Sequence, residues 1–202
     1  MPLLELLSSV SDEDLLALSR RNPGLKLERT AEGRLRVSPT GGESGRVSAE
    51  VLGQLYRWNE EKGLGVVFDA TGFRLPDGAV FSPDAAFVRK ERWLALSQEE
   101  REGFPPLAPD VVFEVRSRSD DPAELREKAG LYLKNGTALV VLVDPYGRWV
   151  EAHRLSGVER FEEPSEVPLD PELPGFLLRF PALRHPLTLR SLSPSISPCA
   201  CP

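Results

Sequence analysis

Pro109-Asp110-Val111-Val112-Phe113-Glu114-Val115-Arg116, with its shorter echo Pro83-Asp84-Ala85-Ala86-Phe87-Val88, is the stretch from which the fold is read. Each run opens on Pro-Asp and continues into apolar, β-prone residues, the composition of a strand. In the longer run a carboxylate interrupts the hydrophobic sequence. Side chains alternate across a strand, so Asp110, Val112, Glu114 and Arg116 share one face while Val111, Phe113 and Val115 share the other. This predicts one charged and one apolar face. An ionised carboxylate is costly to remove from water unless a cation, a metal or hydrogen-bond donors meet it. Glu114 therefore needs a partner, and Arg116 or a metal shared with Asp84 are the two candidates.

Working outward, Asp121-Pro122 marks a helix start, Asn135-Gly136 its end, and Ala138 to Val143 the next apolar strand. Strand, helix and strand in this order predict a right-handed crossover between parallel strands. Upstream, Val66 to Asp69, Thr71 to Leu75 and Ala79 to Val88 read as strands of one meander containing Asp84, with a turn at Pro76-Asp77-Gly78. A long helix, about Glu43 to Lys62, places Val47, Val51, Leu55 and Trp58 at helical spacing and ends at Gly63; Glu43, Glu50 and Gln54 lie along the edge of that stripe. Ser11-Asp12-Glu13-Asp14 starts a small helix stopped at Asn22-Pro23-Gly24, and Leu25 to Glu28 pairs with Arg34 to Val37 as a hairpin. Between the two Pro-Asp strands, Ser97-Gln98-Glu99-Glu100 is a helix start inside loop-like sequence. Trp149 to Leu155 and Glu159 to Phe161 read as two more strands, and Leu173-Pro174-Gly175-Phe176 opens a carboxy-terminal extension. The expectation is a single domain over residues 1–190, with an amino-terminal helix and hairpin, and a flexible tail over 191–202.

The 202 residues, 41% hydrophobic, suffice for a substantial core. No apolar stretch approaches the roughly 20 residues of a membrane span, and Met1-Pro2-Leu3-Leu4 lacks the basic start of a secretory signal. A soluble, cytoplasmic protein is expected. Cys199 and Cys201 sit in a Ser/Pro-rich terminal stretch and build neither a disulfide framework nor a four-ligand zinc site. A net charge of -6 argues against a dedicated nucleic-acid coat protein, which shows a basic footprint. Positive charge does gather after the Pro-Asp strands, in Arg89, Lys90 and Arg92 and in Arg116 and Arg118, although a solvated strand end has the same composition. His153 and His185 have no ligand spacing, and Trp58, Trp93 and Trp149 read as packing residues. Walker loop, dinucleotide fingerprint, zinc-protease helix and nucleophile elbow are all lacking.

Taken together, Ser38-Pro39-Thr40-Gly41-Gly42-Glu43 before a helix, Ser82-Pro83-Asp84, Ala108 to Val115, Ser117-Arg118-Ser119-Asp120, Lys128 and Leu139 to Pro145 resemble the Uma2 family, also called DUF820, over roughly residues 8 to 181. The resemblance implies a PD-(D/E)xK core: an α/β (α+β) restriction-endonuclease-like fold, a mixed β-sheet flanked by helices, with a divalent metal at its centre. It implies Asp84 and Glu114 as metal ligands, and Lys128 matches the lysine that the family carries in the following helix. Arg116 stands where relatives have an aliphatic residue and is the alternative for the lysine's role. Relatives commonly read Gly-Gly-Glu-His and Ser-Pro-Ser-Asp where this chain has Gly41-Gly42-Glu43-Ser44 and Ser117-Arg118-Ser119-Asp120.

Magnesium, or manganese in its place, prefers several oxygen ligands and keeps some waters, so two carboxylates, a strand carbonyl such as that of Val115, a phosphate and waters would fill its shell. Glu114 and Arg116 lie roughly 7 Å apart on one face and would reach the same phosphate, whereas Asp110, roughly 13 Å from Glu114, is a poor co-ligand. Glu43 or Glu50 would add a contact to the metal site. The expected function is a metal-dependent endonuclease hydrolysing DNA phosphodiester bonds through Asp84, Glu114 and Lys128, with Arg116 assisting. The alternatives are a nucleic-acid or protein-binding module without turnover and a nuclease acting on RNA or another phosphoester. A homo-oligomer, as a dimer anchored by Trp93 or Trp149, is also expected.

Overall fold

The computed structural model describes residues 3–4, 10–39 and 41–180. A short strand β1 (Leu3–Leu4) precedes helix α1 (Asp12–Arg21), whose amino terminus is closed by a capping box between Ser11 and Asp14. The hairpin of β2 (Leu25–Arg29) and β3 (Leu35–Pro39) follows, then the long helix α2 (Gly42–Lys62), which stops where Gly63 adopts the left-handed conformation (φ 63°). Next come β4 (Gly65–Asp69), β5 (Phe73–Arg74), β6 (Val80–Phe81) and β7 (Ala85–Arg89), and two short helices, α3 (Lys90–Leu94) and α4 (Gln98–Glu102). The chain continues through β8 (Val111–Val115), α5 (Pro122–Lys134), β9 (Leu139–Asp144), β10 (Trp149–Arg154), β11 (Gly157–Glu162), β12 (Glu166–Pro168) and β13 (Leu177–Arg179).

The main sheet runs β11-β10-β9-β8-β7-β4. Its central pair, β8 and β9, is parallel, with Val111 opposite Leu139 and Val115 opposite Val143, and its other neighbours are antiparallel. The helix capped by Asp121 connects the parallel pair, as the sequence predicts. A second sheet runs β1-β3-β2-β6-β5, and β12 and β13 form a small third one. The fold is therefore α+β, a mixed sheet flanked by helices.

The expected single meander is divided between two sheets. β4 and β7 belong to the main sheet, whereas β5 and β6 join the amino-terminal hairpin. The break falls at Ser82-Pro83-Asp84. Pro83 has no N–H for a ladder, and the Ser82 N–H donates to the Glu28 carboxylate at 2.7 Å. Asp84 thus stands at the seam between two sheets, with its own N–H on the Phe113 carbonyl at 3.1 Å.

The two faces of β8 also differ from the expectation, for all five of its residues are buried. Val111, Phe113 and Val115 pack under the α2 stripe of Val47, Val51, Leu55 and Trp58. On the other face Val112, Val140 and Leu142 pack against Ala129 and Tyr132 of α5. Helices cover both faces of a sheet that contains a parallel crossover, so Glu114 lies beneath a helix rather than on an open charged face.

The segment read as a carboxy-terminal extension is core. Leu169, Leu173, Phe176, Leu178 and Phe180 are buried against α2 and the sheet, and the Trp58 indole donates to the Pro174 carbonyl at 3.1 Å. The tail over 191–202, with both cysteines, and His185 lie outside the described residues. Trp149 does not offer a dimer anchor: it is 5% exposed, with the Arg126 and Arg160 guanidiniums over its ring at 5.4 and 4.6 Å. Trp93 is half-buried on Phe68. No helix among the described residues is long and apolar enough to cross a membrane.

Below Trp149, Glu151 is held by Arg126 at 2.8 Å, Arg160 at 2.7 Å and His153 at 3.0 Å. Burial opposes its ionisation, but the hydrogen bonds from Arg126, Arg160 and His153 prevail and lower its pKa from 4.5 to about 2. His153, 6% exposed and bonded to Glu151, is structural here.

Two measurements test this account. Phe176→Ala is expected to cost about 3–5 kcal/mol in urea unfolding, and a loss within error of zero would mean that the segment is peripheral. A carboxylate with a depressed pKa stabilises the fold fully above its unfolded value near 4.5, a contribution lost as pH falls through about 2. The stability gap between wild type and Glu151→Gln should therefore be widest near neutrality and close towards pH 2; a gap independent of pH would contradict the assignment.

Candidate active site

The seam between the two sheets gathers five charged groups from four parts of the chain. Strand alternation sends Lys26 and Glu28 of β2 to the same side. Asp84 comes from the break before β7, Glu114 from the α5-facing side of β8, and Lys128 from α5. On that helix Lys128 lies three residues after Leu125 and four before Tyr132, so it shares their inward stripe. It is 3% exposed.

Lys128 bridges two carboxylates, with Nζ 2.7 Å from Glu114 Oε1 and 2.8 Å from Glu28 Oε1. The rings of Phe81 and Tyr132 lie 5.5 and 5.8 Å from the same ammonium. The Tyr132 hydroxyl donates to Glu114 Oε1 at 3.0 Å. Lys26 spans the other side, 3.0 Å from Asp84 Oδ1 and 3.7 Å from Glu114 Oε2. Asp84 Oδ2 accepts the Val115 N–H at 2.7 Å, which fixes the aspartate against the end of β8. Glu28 Oε2 is buried and has no hydrogen-bond partner.

Burial raises the pKa of Glu114, an effect that the ammonium groups of Lys128 and Lys26 only partly oppose. Burial resists ionisation of Glu28 as well, but there Lys128, Lys26 and the Ser82 amide prevail and hold it below the usual carboxylate range. Burial beside Glu114 and Glu28 drives the Tyr132 phenol well above its ordinary value, so it acts as a donor. A cleft of about 80 Å³ opens over this cluster, with Asp84, Glu114, Val115 and Lys128 on its walls and Arg36, Ser44 and Ser48 at its side.

Asp84, Glu114, Val115 and Lys128, expected together, do meet in the cleft. Arg116 does not. Its guanidinium donates to Asp144 Oδ2 and to the Asp120 carbonyl, each at 3.0 Å, so it does not pair with Glu114. The strand ends at Val115, and the register by which Arg116 would follow Glu114 on one face ends with it. Glu43 is exposed on Arg46 at 2.7 Å, and Glu50 is also exposed; Ser44 and Ser48 are the α2 residues that reach the cleft. Asp110 lies at the far end of β8, where it accepts the Arg89 N–H at 2.9 Å and pairs with Arg92 at 3.0 Å. The arginines after the first Pro-Asp strand are thus committed away from the acids of the cleft.

Lys26, Glu28, Ser82 and Tyr132 are the members that the sequence reading misses. The alternation Leu25-Lys26-Leu27-Glu28 carries the signal, since it puts both charges on one face. The natural inference, that the charged face meets water, is inverted: Glu28 is 1% exposed and Leu25 is 40% exposed.

The mixed sheet, with two carboxylates and a helical lysine where its central strands end, is an arrangement of the restriction-endonuclease-like class. The chain matches the Uma2 family, described as "Putative restriction endonuclease", over residues 12–181, and it belongs to that family. A crystal structure of "a putative nuclease belonging to DUF820" from Anabaena variabilis is similar, with a TM-score of 0.67 and 21% identity, covering 78% of this chain and 89% of that one. This likeness shows the shared fold. A DrdV–DNA complex solved by cryo-EM aligns with a TM-score of 0.38 and 12% identity, over 60% of this chain and 12% of that one, too distant a likeness to carry an argument. No curated protein matches the chain.

Lys128→Met would strand two buried carboxylates, and it should cost about 3–5 kcal/mol at pH 7. The deficit should shrink on acidification, as Glu28 and Glu114 take up protons. Tyr132→Phe should cost about 1–2 kcal/mol. Urea unfolding of both variants from pH 4 to 8 checks the order, and a neutral Lys128→Met would mean that the bridge contributes nothing to the fold.

Proposed function

We propose that the protein is a metal-dependent endonuclease that hydrolyses DNA phosphodiester bonds at the Asp84–Glu114–Lys128 cleft. The observation that carries this reading is the convergence of two carboxylates, one from the break before β7 and one from β8, on a common cation position, 3.0 and 3.7 Å from the Lys26 ammonium, with a second cation, Lys128, behind them. Hard oxygen donors directed at one cation suit magnesium or manganese. Among the described residues no three His, Cys, Asp or Glu side chains form a metal cage. A donor set of two carboxylates, Asp84 and Glu114, and a strand carbonyl, that of Val115, suits an ion that retains waters and takes a phosphate oxygen. Glu28 Oε2, buried without a partner, is a further oxygen beside the same cleft.

When bound, the metal would neutralise charge on the phosphate and make a coordinated water more acidic. The protein's own groups supply the remainder. The Val115 amide orients Asp84, and Tyr132 and Lys128 hold Glu114 in place. Lys128, rather than Arg116, fills the role of the motif lysine in this reading, because the Arg116 guanidinium is taken up by Asp144. As a compact point charge, Lys128 would stabilise negative charge developing on the phosphate oxygens.

A second reading has a specific observation in its favour: the five charged groups already form a closed network of ion pairs. Such a cluster would serve a nucleic-acid or protein-binding module on the same fold. Supercoiled plasmid, single-stranded DNA and RNA, each incubated with magnesium, manganese or EDTA, separate the two. The nuclease reading expects metal-dependent cutting, preferentially of DNA, reduced about 100-fold or more in Asp84→Asn and in Glu114→Gln. Folded wild type that cuts none of these substrates would favour the binding module.

A further inference from the structure

We propose that Lys26 is a displaceable internal counter-cation: its ammonium holds the position between Asp84 and Glu114 in the metal-free protein, and a divalent ion enters only by expelling it. The inference rests on the nuclease reading, and it concerns how that site is loaded.

The two lysines of the cluster are not equivalent. The Lys128 side chain is 4% exposed, contacts Glu28 and Glu114 at 2.8 and 2.7 Å, and is walled by Phe81 and Tyr132. Lys26 is 18% exposed, with one short contact, to Asp84 at 3.0 Å, and a longer one of 3.7 Å to Glu114. Its two partners are the carboxylates assigned to the metal, and it contacts a different oxygen of Glu114 from the one that Lys128 holds. The ammonium therefore stands where a shared cation would stand.

Charge balance points the same way. Glu28, Asp84 and Glu114 against Lys26 and Lys128 leave the ionised cluster with one negative charge. Adding a divalent ion while retaining both lysines would make the buried five-residue cluster itself net positive and would press two cations together, which costs most where the dielectric is low. Removing the Lys26 ammonium as the ion arrives brings the cluster to neutrality. There is room for that movement. Lys26 also lines a neighbouring groove of about 590 Å³ beside α1 and α2, into which a four-carbon stem can swing.

The test is calorimetric titration of manganese into wild type, Lys26→Met, Lys26→Gln, Lys26→Arg and Asp84→Asn, with thermal melting of each in EDTA and in manganese. Removing the competing charge should tighten binding by about tenfold or more in Lys26→Met and Lys26→Gln. Lys26→Arg, whose planar fork resists displacement from the carboxylates, should bind no more tightly than wild type, and Asp84→Asn should lose binding. In EDTA the two neutral variants should melt below wild type, and manganese should narrow the difference. In wild type, amine labelling of Lys26, read by mass spectrometry, should quicken when manganese is added; this readout requires no variant to fold. Manganese binding that is lost in Asp84→Asn but equal or weaker in the neutral Lys26 variants, with unchanged labelling of Lys26, overturns the proposal and leaves the metal site intact. Absence of binding to every form, the neutral variants included, sinks the metal reading and the proposal with it.

Discussion

One ammonium group, that of Lys128, is shared between Glu28 and Glu114, and through it α5, the amino-terminal hairpin and the central strand of the main sheet meet. An apolar residue in its place would leave Glu28 with the Ser82 amide alone and Glu114 with Tyr132 and a distant Lys26, too little compensation for two carboxylates at this depth. The β2–β3 hairpin is fastened partly by this cluster: it pairs with β6 through Arg29 opposite Val80 and packs Leu27, Leu35 and Val37 with Val80 and Phe104, while Glu28 binds Ser82 and Lys128, and Lys26 binds Asp84. Structural seam and candidate site coincide, so the residues that join the sheets are the residues from which the candidate site is built.

That coincidence governs what the sequence reveals. Helix limits at Ser11, Gly63 and Asp121 are legible because capping is local chemistry. The parallel crossover and the acids Asp84 and Glu114 are legible too, the first from strand–helix–strand order and the second from the resemblance that their Pro-Asp and strand context carries. Lys26 and Glu28 are not, because their role depends on which sheet the hairpin joins, a matter decided by Pro83 and by the Ser82 amide more than 50 residues away. Arg116 misleads for a related reason. Alternation places it beside Glu114 only while the strand lasts, and Asp144, which faces it across the chain, cannot be inferred from a two-residue spacing. The buried segment containing Leu173 and Phe176 is lost for want of periodicity, since turns interrupt each short apolar run.

Cations are also divided by type. Arginines fasten the scaffold: Arg116 on Asp144, Arg126 and Arg160 on Glu151, Arg154 on Glu172, and Arg29 on Asp12. A planar fork matches a carboxylate in two places and loses little freedom in doing so. At the heart of the cleft stand two lysines instead. A lysine ammonium is compact and strongly hydrated, and its three donors can turn to new partners. A fixed carboxylate pair can therefore exchange such a cation for another, where a bidentate arginine would resist.

The surroundings of the cleft extend this logic to substrate. Asp120, Asp121 and Glu124 lie on its walls along with the acids of the cluster, and the whole chain carries a charge of -6. A polyanion approaching such an opening meets repulsion, whereas a divalent cation is drawn in. Phosphate cannot enter favourably until positive charge faces it from within. In the proposed mechanism a bound metal would provide that charge, and the displaced Lys26 ammonium would add a second cation at the groove wall, outside the carboxylates it formerly neutralised. Electrostatics thus impose an order on the proposed reaction, with the ion first and the nucleic acid second. Under the proposed mechanism, the acidity that argues against a nucleic-acid coat protein would be the means by which the site distinguishes an unloaded state from a loaded one.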